Sequence, residues 1–174
     1  VTVTLLGSIV RHLEERGVPC ALIGGAALAY HGVARATEDL DLLVADRRVL
    51  EPAFWEDLGA PGAPEIRRGD AEDPLGGVVA WRAAGSPLDV VVGRDAWLAA
   101  ALGRRIWTTL NEERIPVLDA ADLVLTKLAA GGPQDLLDVK LLLAGSRADL
   151  RAQVEERLRG LPSSLREAWP AVVT

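Results

Sequence analysis

The chain has 174 residues, enough for one domain or one domain with a helical appendage, and its 49% apolar share can fill a core. Its formal net charge of −6 brings no overall electrostatic help in finding nucleic acid. A single cysteine, Cys20, rules out an internal disulfide, and with two histidines a Cys/His zinc cluster is not expected.

Residues 4–16 predict an amphipathic helix with Leu5, Leu6, Ile9, Val10 and Leu13 on one stripe, ended by Gly17 and Pro19. That spacing predicts a folded helix and not a signal peptide. No run reaches the ~18 apolar residues of a membrane span, so a cytoplasmic location without a membrane partner is expected. Residues 20–23 predict a buried strand running into a turn at Gly24-Gly25, with Cys20 as a small buried hydrophobe. The Ala-rich 26–31 predicts a short helix stopped at Gly32. In the following strand, Leu40, Leu42 and Val44 alternate with Asp39, Asp41 and Leu43, giving one apolar face and one carrying two carboxylates.

Residues 47–58 predict a helix with Leu50, Phe54 and Leu58 on one side. The Gly- and Pro-rich 59–77 predicts a loop with a short strand near Glu65–Arg68. Residues 78–83 and 87–93 predict a hairpin through Gly85-Ser86-Pro87, and 94–102 a short helix. Two short extended segments, 105–110 and 114–118, flank a turn at Asn111. From Asp119 three helical patterns follow, 119–131, 133–145 and 147–161, with Asp119 as N-cap and Pro133 in a first turn. The organisation expected is an α/β core over 1–118 and a helical C-terminal segment over 119–174.

The chemistry lies between Leu22 and Val44. Asp39 and Asp41, at i and i+2, point to one face of a strand, and like charges that close are unfavourable unless a cation sits between them. Mg²⁺ binds through one or two carboxylates and completes its shell with water and substrate phosphates. Gly24-Gly25 let the backbone turn and present N–H groups to such phosphates. Asp89, inside the apolar run Pro87–Val92, needs a partner; a metal shared with Asp39 and Asp41 would supply one, and Asp89 could also take a proton from a hydroxyl. Plainer readings stand beside these. Asp39 and Asp41 could edge a solvated strand, Lys127 could snorkel, and Asp135 could serve its helix dipole. His31 reads as structural, while Arg47, Arg48, Arg67, Arg68, Arg82, Arg104 and Arg105 read as solvated. The five tryptophans are scattered and suggest core or interface.

Gly24-Gly25-Ala26-Ala27-Leu28, then Gly32, Arg35, Thr37 and Asp39-Leu40-Asp41, resemble the nucleotidyltransferase superfamily related to DNA polymerase β. Within it they look most like the small bacterial branch holding AbiEii-type toxin enzymes and lincosamide-modifying transferases. Residues 119–142 are similar to the helical segment of the AbiEii-like group. The resemblance implies an α/β (α+β) fold, a small mixed sheet flanked by helices. It implies transfer of a nucleoside monophosphate from an NTP, ATP among them, to an acceptor with release of pyrophosphate. Two Mg²⁺ ions, or Mn²⁺, would sit on Asp39, Asp41 and Asp89. Nucleotide contacts would come from Gly24, Gly25, Arg35, Thr37, Lys127 and Asp138, with Asp135 the alternative to Asp138. The acceptor could be a small molecule, tRNA or a protein; a homodimer, an antitoxin partner or a silent nucleotide-binding module are further alternatives. Gly25 departs from the serine common in polymerase-like members, and the helical segment is compact beside longer toxin relatives, which leaves the acceptor open.

Overall fold

The computed structural model describes residues 4–34, 39–60, 62–82, 87–145 and 149–173. Helix α1, Leu5–Glu15, starts where the Thr4 side chain accepts from the Gly7 N–H at 3.1 Å, and its stripe of Leu6, Ile9, Val10 and Leu13 is buried. Strand β1, Cys20–Ile23, passes without a loop into helix α2, Gly24–Tyr30. The expected glycine turn is therefore the first turn of α2, reached because Gly24 adopts φ +64°, a left-handed conformation that glycine tolerates. Strand β2 spans Leu40–Val44, β3 Glu65–Arg68, β4 Leu75–Trp81 and β5 Leu88–Gly93. The Gly85-Ser86 part of the expected β4–β5 turn lies outside the described residues.

The helix expected over 47–58 is instead two single 3₁₀ turns, Arg47–Leu50 and Pro52–Trp55. Pro52 has no N–H to continue a helix and drives Glu51 to an extended ψ of 126°, which breaks the ladder. Val49, Leu50 and Trp55 are nevertheless buried. Helix α3 spans Trp97–Gly103, and β6 (Ile106–Leu110) with β7 (Glu113–Val117) forms a hairpin through Asn111 and Glu112, both at positive φ.

The helical segment carries α4 (Ala120–Ala130), α5 (Pro133–Gly145) and α6 (Asp149–Leu158), matching the three patterns. Two short helices, α7 (Ser163–Ala168) and α8 (Pro170–Val173), follow within the segment expected to be helical, beyond its three patterns. Asp119 caps α4, accepting from the Ala121 and Asp122 N–H groups at 2.9 and 3.2 Å. Asp122, fully buried, is gripped by Arg104 from beyond α3 and by Arg157 of α6, each at 2.9 Å. These pairs tie α4 to both neighbours.

The described strands form one mixed sheet in the order β3-β4-β5-β2-β1-β7-β6. The β2·β5 and β1·β7 pairs are parallel and the others antiparallel. Helices flank it, and a continuous apolar core runs from Leu42, Val90 and Val92 of the sheet to Leu123, Leu125 and Val139 of α4 and α5. No described helix is long and apolar enough to cross a membrane.

Candidate active site

Strand register assembles the site. β2 lies between β1 and β5, and Asp41 is partnered by Ile23 on one side and Asp89 on the other. The row continues through Ala80 of β4 to Glu65 of β3. Residues in register on adjacent strands project to the same face, about 4.8 Å apart from strand to strand, so Asp41 and Asp89 are neighbours on one surface. The opposite face of β5 carries the buried Leu88, Val90 and Val92, which explains how an aspartate sits in so apolar a strand. Asp39 precedes β2 by one residue and is exposed. A side chain at Gly24 would collide with Asp41 Oδ2, so α2 starts directly against this carboxylate.

The charges are coupled. Burial first, then the charges of Asp89 and Asp39, push the Asp41 carboxyl above the usual carboxylate range, while Lys127 and Arg82 pull it back. Arg82, one residue beyond β4, holds Asp89 in a two-point ion pair with N–O distances of 2.5 and 3.2 Å. That hydrogen bond, with the charges of Glu65 and Asp39, raises the proton affinity of the guanidinium. Lys127 of α4 reaches Asp135 Oδ1 and Asp138 Oδ2, each at 2.8 Å. Burial alone would lower its ammonium, but the two carboxylates overrule this and hold it above its ordinary value. Asp138 is fully buried and also accepts from Gln134 Nε2 at 3.0 Å.

The structure thus brings Gly24, Asp39, Asp41, Asp89 and Lys127 into one electrostatic neighbourhood. Gly25 is buried in α2. Arg35 and Thr37 lie outside the described residues. Asp135 and Asp138, alternatives in the sequence, both bind Lys127. The His31 Nε2–H donates to the Leu118 carbonyl at 2.8 Å, a tie between α2 and the end of β7. Cys20 is buried, and burial followed by the Glu14 charge pushes its thiol well up, so it is inert. Arg82, read from the sequence as a solvated arginine, is half exposed and also pairs with Asp89, a contact that reading did not include. The available signal was its diagonal place in the expected hairpin, two residues past Ala80, the register partner of Asp89.

Among the described residues no group of three or more His, Cys, Asp or Glu side chains is gathered closely enough to hold a metal ion, and Asp89 is turned onto Arg82. The donor chemistry nonetheless suits a divalent cation. Asp41 and Asp89 are oxygen donors in register whose mutual repulsion such an ion would relieve, and Mg²⁺ needs only one or two carboxylates. On the same face a groove of about 350 Å³, lined by Ile23, Leu43, Val91, Trp97, Thr126 and Ala129, extends from the row toward α4. A larger cavity of about 710 Å³, walled by Trp55, Ile66 and Trp81, belongs to the other face, since Trp81 is in register with Leu88.

Solved structures that share the fold include two of ANT(2'')-Ia. ANT(2'')-Ia, an antibiotic-resistance factor studied in solution, is 16% identical, with a TM-score of 0.53 over 91% of this chain and 93% of that one. The crystal structure of ANT(2")-Ia in complex with adenylyl-2"-tobramycin is 19% identical, with a TM-score of 0.55 over 89% of this chain and 97% of that one. No curated protein matches the sequence significantly. The sequence profile of the family described as "Nucleotidyl transferase AbiEii toxin, Type IV TA system" matches residues 9–163. The glycine-opened helix, the paired strand carboxylates and the lysine of α4 all fall inside that match, and the chain belongs to the AbiEii family of the nucleotidyltransferase superfamily.

Proposed function

We propose that the chain moves a nucleoside monophosphate from an NTP to an acceptor hydroxyl. The acceptor oxygen bonds to the α-phosphorus, the bond from that phosphorus to the bridging oxygen breaks, and pyrophosphate leaves. The observation that carries this reading is the register pairing of Asp41 with Asp89 on adjacent parallel strands, beneath the start of α2. Asp39, Asp41 and Asp89 would hold Mg²⁺, which supplies charge neutralisation and Lewis-acid polarisation of the phosphates when bound. Asp89 accepts the proton of the acceptor hydroxyl, directly or through one water. The backbone of Gly24 and Gly25 and the side chains of Arg35 and Thr37 orient the triphosphate. Lys127, kept charged by Asp135 and Asp138, adds a positive field at Asp41. The groove beside Asp41 is of the size that takes a nucleoside or a small acceptor.

Isothermal titration of the four NTPs with Mg²⁺, on wild type and on Asp39→Ala/Asp41→Ala, tests the reading. Metal-dependent binding that disappears in the double variant supports it and ranks the bases. A well-folded wild type that binds none of them sinks it in favour of a silent module.

The family's description as a toxin of a type IV toxin–antitoxin system favours a second reading, transfer to tRNA or to a partner protein. The net charge of −6 gives no general attraction to RNA, so such an acceptor would need a local basic surface. Incubating α-³²P-labelled NTP with the protein and either total tRNA or aminoglycosides separates the acceptors by where the label goes. Growth arrest on expression, absent in the double aspartate variant, belongs to the toxin reading alone.

A further inference from the structure

The carboxylate row has two described cations acting on Asp41, and they differ in how freely each can move. Lys127 is 12% exposed and bound to two carboxylates, one of them fully buried, so moving it away takes an ammonium off a buried carboxylate at high cost. Arg82 is 48% exposed and its described ion-pair partner, Asp89, is itself 26% exposed. Pairs at such exposure are weak, so Arg82 can change partners at little cost. Its place is also particular. Two residues beyond Ala80, it projects from the same face as Asp89, and its guanidinium feels Asp39 and Glu65 as well. Other arginines are committed elsewhere: Arg104 and Arg157 to Asp122, Arg105 to Glu14, and Arg94 to the carbonyls of Asp70 and Asp73.

A triphosphate carries a denser negative charge than a single carboxylate, and a guanidinium binds phosphate by the same two-point geometry it uses on Asp89. We infer that Arg82 is an exchangeable counter-ion: it occupies Asp89 in the nucleotide-free protein and passes to the phosphates of the bound nucleotide, freeing the Asp89 oxygens. This rests on the proposed nucleotidyltransferase reading. Arg82 then has two opposed effects. It competes with a metal ion for Asp89 when nucleotide is absent, and it strengthens the hold on the metal–triphosphate complex.

The test measures both effects on intact wild type, Arg82→Ala and Arg82→Lys, with thermal melts to verify folding. Mn²⁺ alone is followed by loss of the free-ion paramagnetic resonance signal, and Mn²⁺ with the α,β-methylene analogues of the four NTPs by calorimetry. Arg82→Ala should bind Mn²⁺ alone at least fivefold more tightly and the best analogue complex at least tenfold more weakly. Arg82→Lys should recover part of the second loss, as a point charge without the two-point fork. Both affinities unchanged, or both moving the same way, overturns the exchange while leaving the nucleotidyltransferase reading intact. Wild type that binds no analogue in the presence of Mn²⁺ overturns that reading, and the exchange with it.

Discussion

Lys127→Ala tests how far the Lys127 ion pair stabilises α4. The Lys127 ammonium lies 2.8 Å from both Asp135 Oδ1 and Asp138 Oδ2, and Asp138 has no exposed surface. Truncating the lysine removes the ammonium that faces this buried carboxylate, a loss of about 3–5 kcal/mol. The Gln134 hydrogen bond to Asp138 Oδ1 survives, which places the expectation at the lower end, about 3 kcal/mol. In a domain of this size each kcal/mol shifts Tm by about 2–4 °C, so a fall of roughly 6–12 °C at neutral pH is expected by calorimetry. Replacing both partners with apolar residues, Lys127→Met/Asp138→Leu, should return most of the loss, because apolar packing then replaces the buried ion pair. The pH dependence has a definite sign. The folded protein holds Lys127 above its ordinary value of 10.5, so the contribution of the pair is complete below that pH and is lost as pH rises through the higher folded value. The gap between wild type and Lys127→Ala should therefore close only in strong alkali. A Tm within about 2 °C of wild type at pH 7 would refute the argument that this pair anchors α4 to α5.

Asp41→Asn should raise Tm by roughly 2–4 °C at pH 7 while abolishing Mg²⁺-dependent nucleotide binding, since a carboxylate held against its neighbours is removed. Because the folded Asp41 pKa is raised, the wild-type penalty sets in as pH rises from 3.8 and the advantage of the variant should fade below that value; an advantage unchanged in acid would count against the repulsion. Gly24→Ala forces a left-handed residue into Asp41, and should cost about 1–2 kcal/mol from the backbone alone and weaken NTP binding in titration. A variant matching wild type in both would show that α2 does not need its close approach. His31→Ala should lose about 1–3 kcal/mol in urea unfolding, because the Leu118 carbonyl loses its donor, with NTP affinity unchanged; a selective loss of turnover would instead make His31 part of the chemistry.

Much of this protein is determined by its sequence alone. The alternation around Asp41 and Asp89 specifies strands, because one face of each must be buried while the other carries a carboxylate. Asp119 and Pro133 mark helix starts through local capping and backbone geometry, and Gly24-Gly25 before Asp39-Leu40-Asp41 announces the family. What only the tertiary structure decides are relations between elements distant in sequence. The parallel register that sets Asp41 beside Asp89 depends on how β2 and β5 slide against each other, and a slip of one residue would send the two carboxylates to opposite faces. The two-point geometry of Arg82 on Asp89 and the sharing of Lys127 between Asp135 and Asp138 depend on side-chain placement that residue spacing alone does not set. The break at Pro52 shows the limit from the other side: helical periodicity over 47–58 was legible, but the missing N–H of one proline outweighed it.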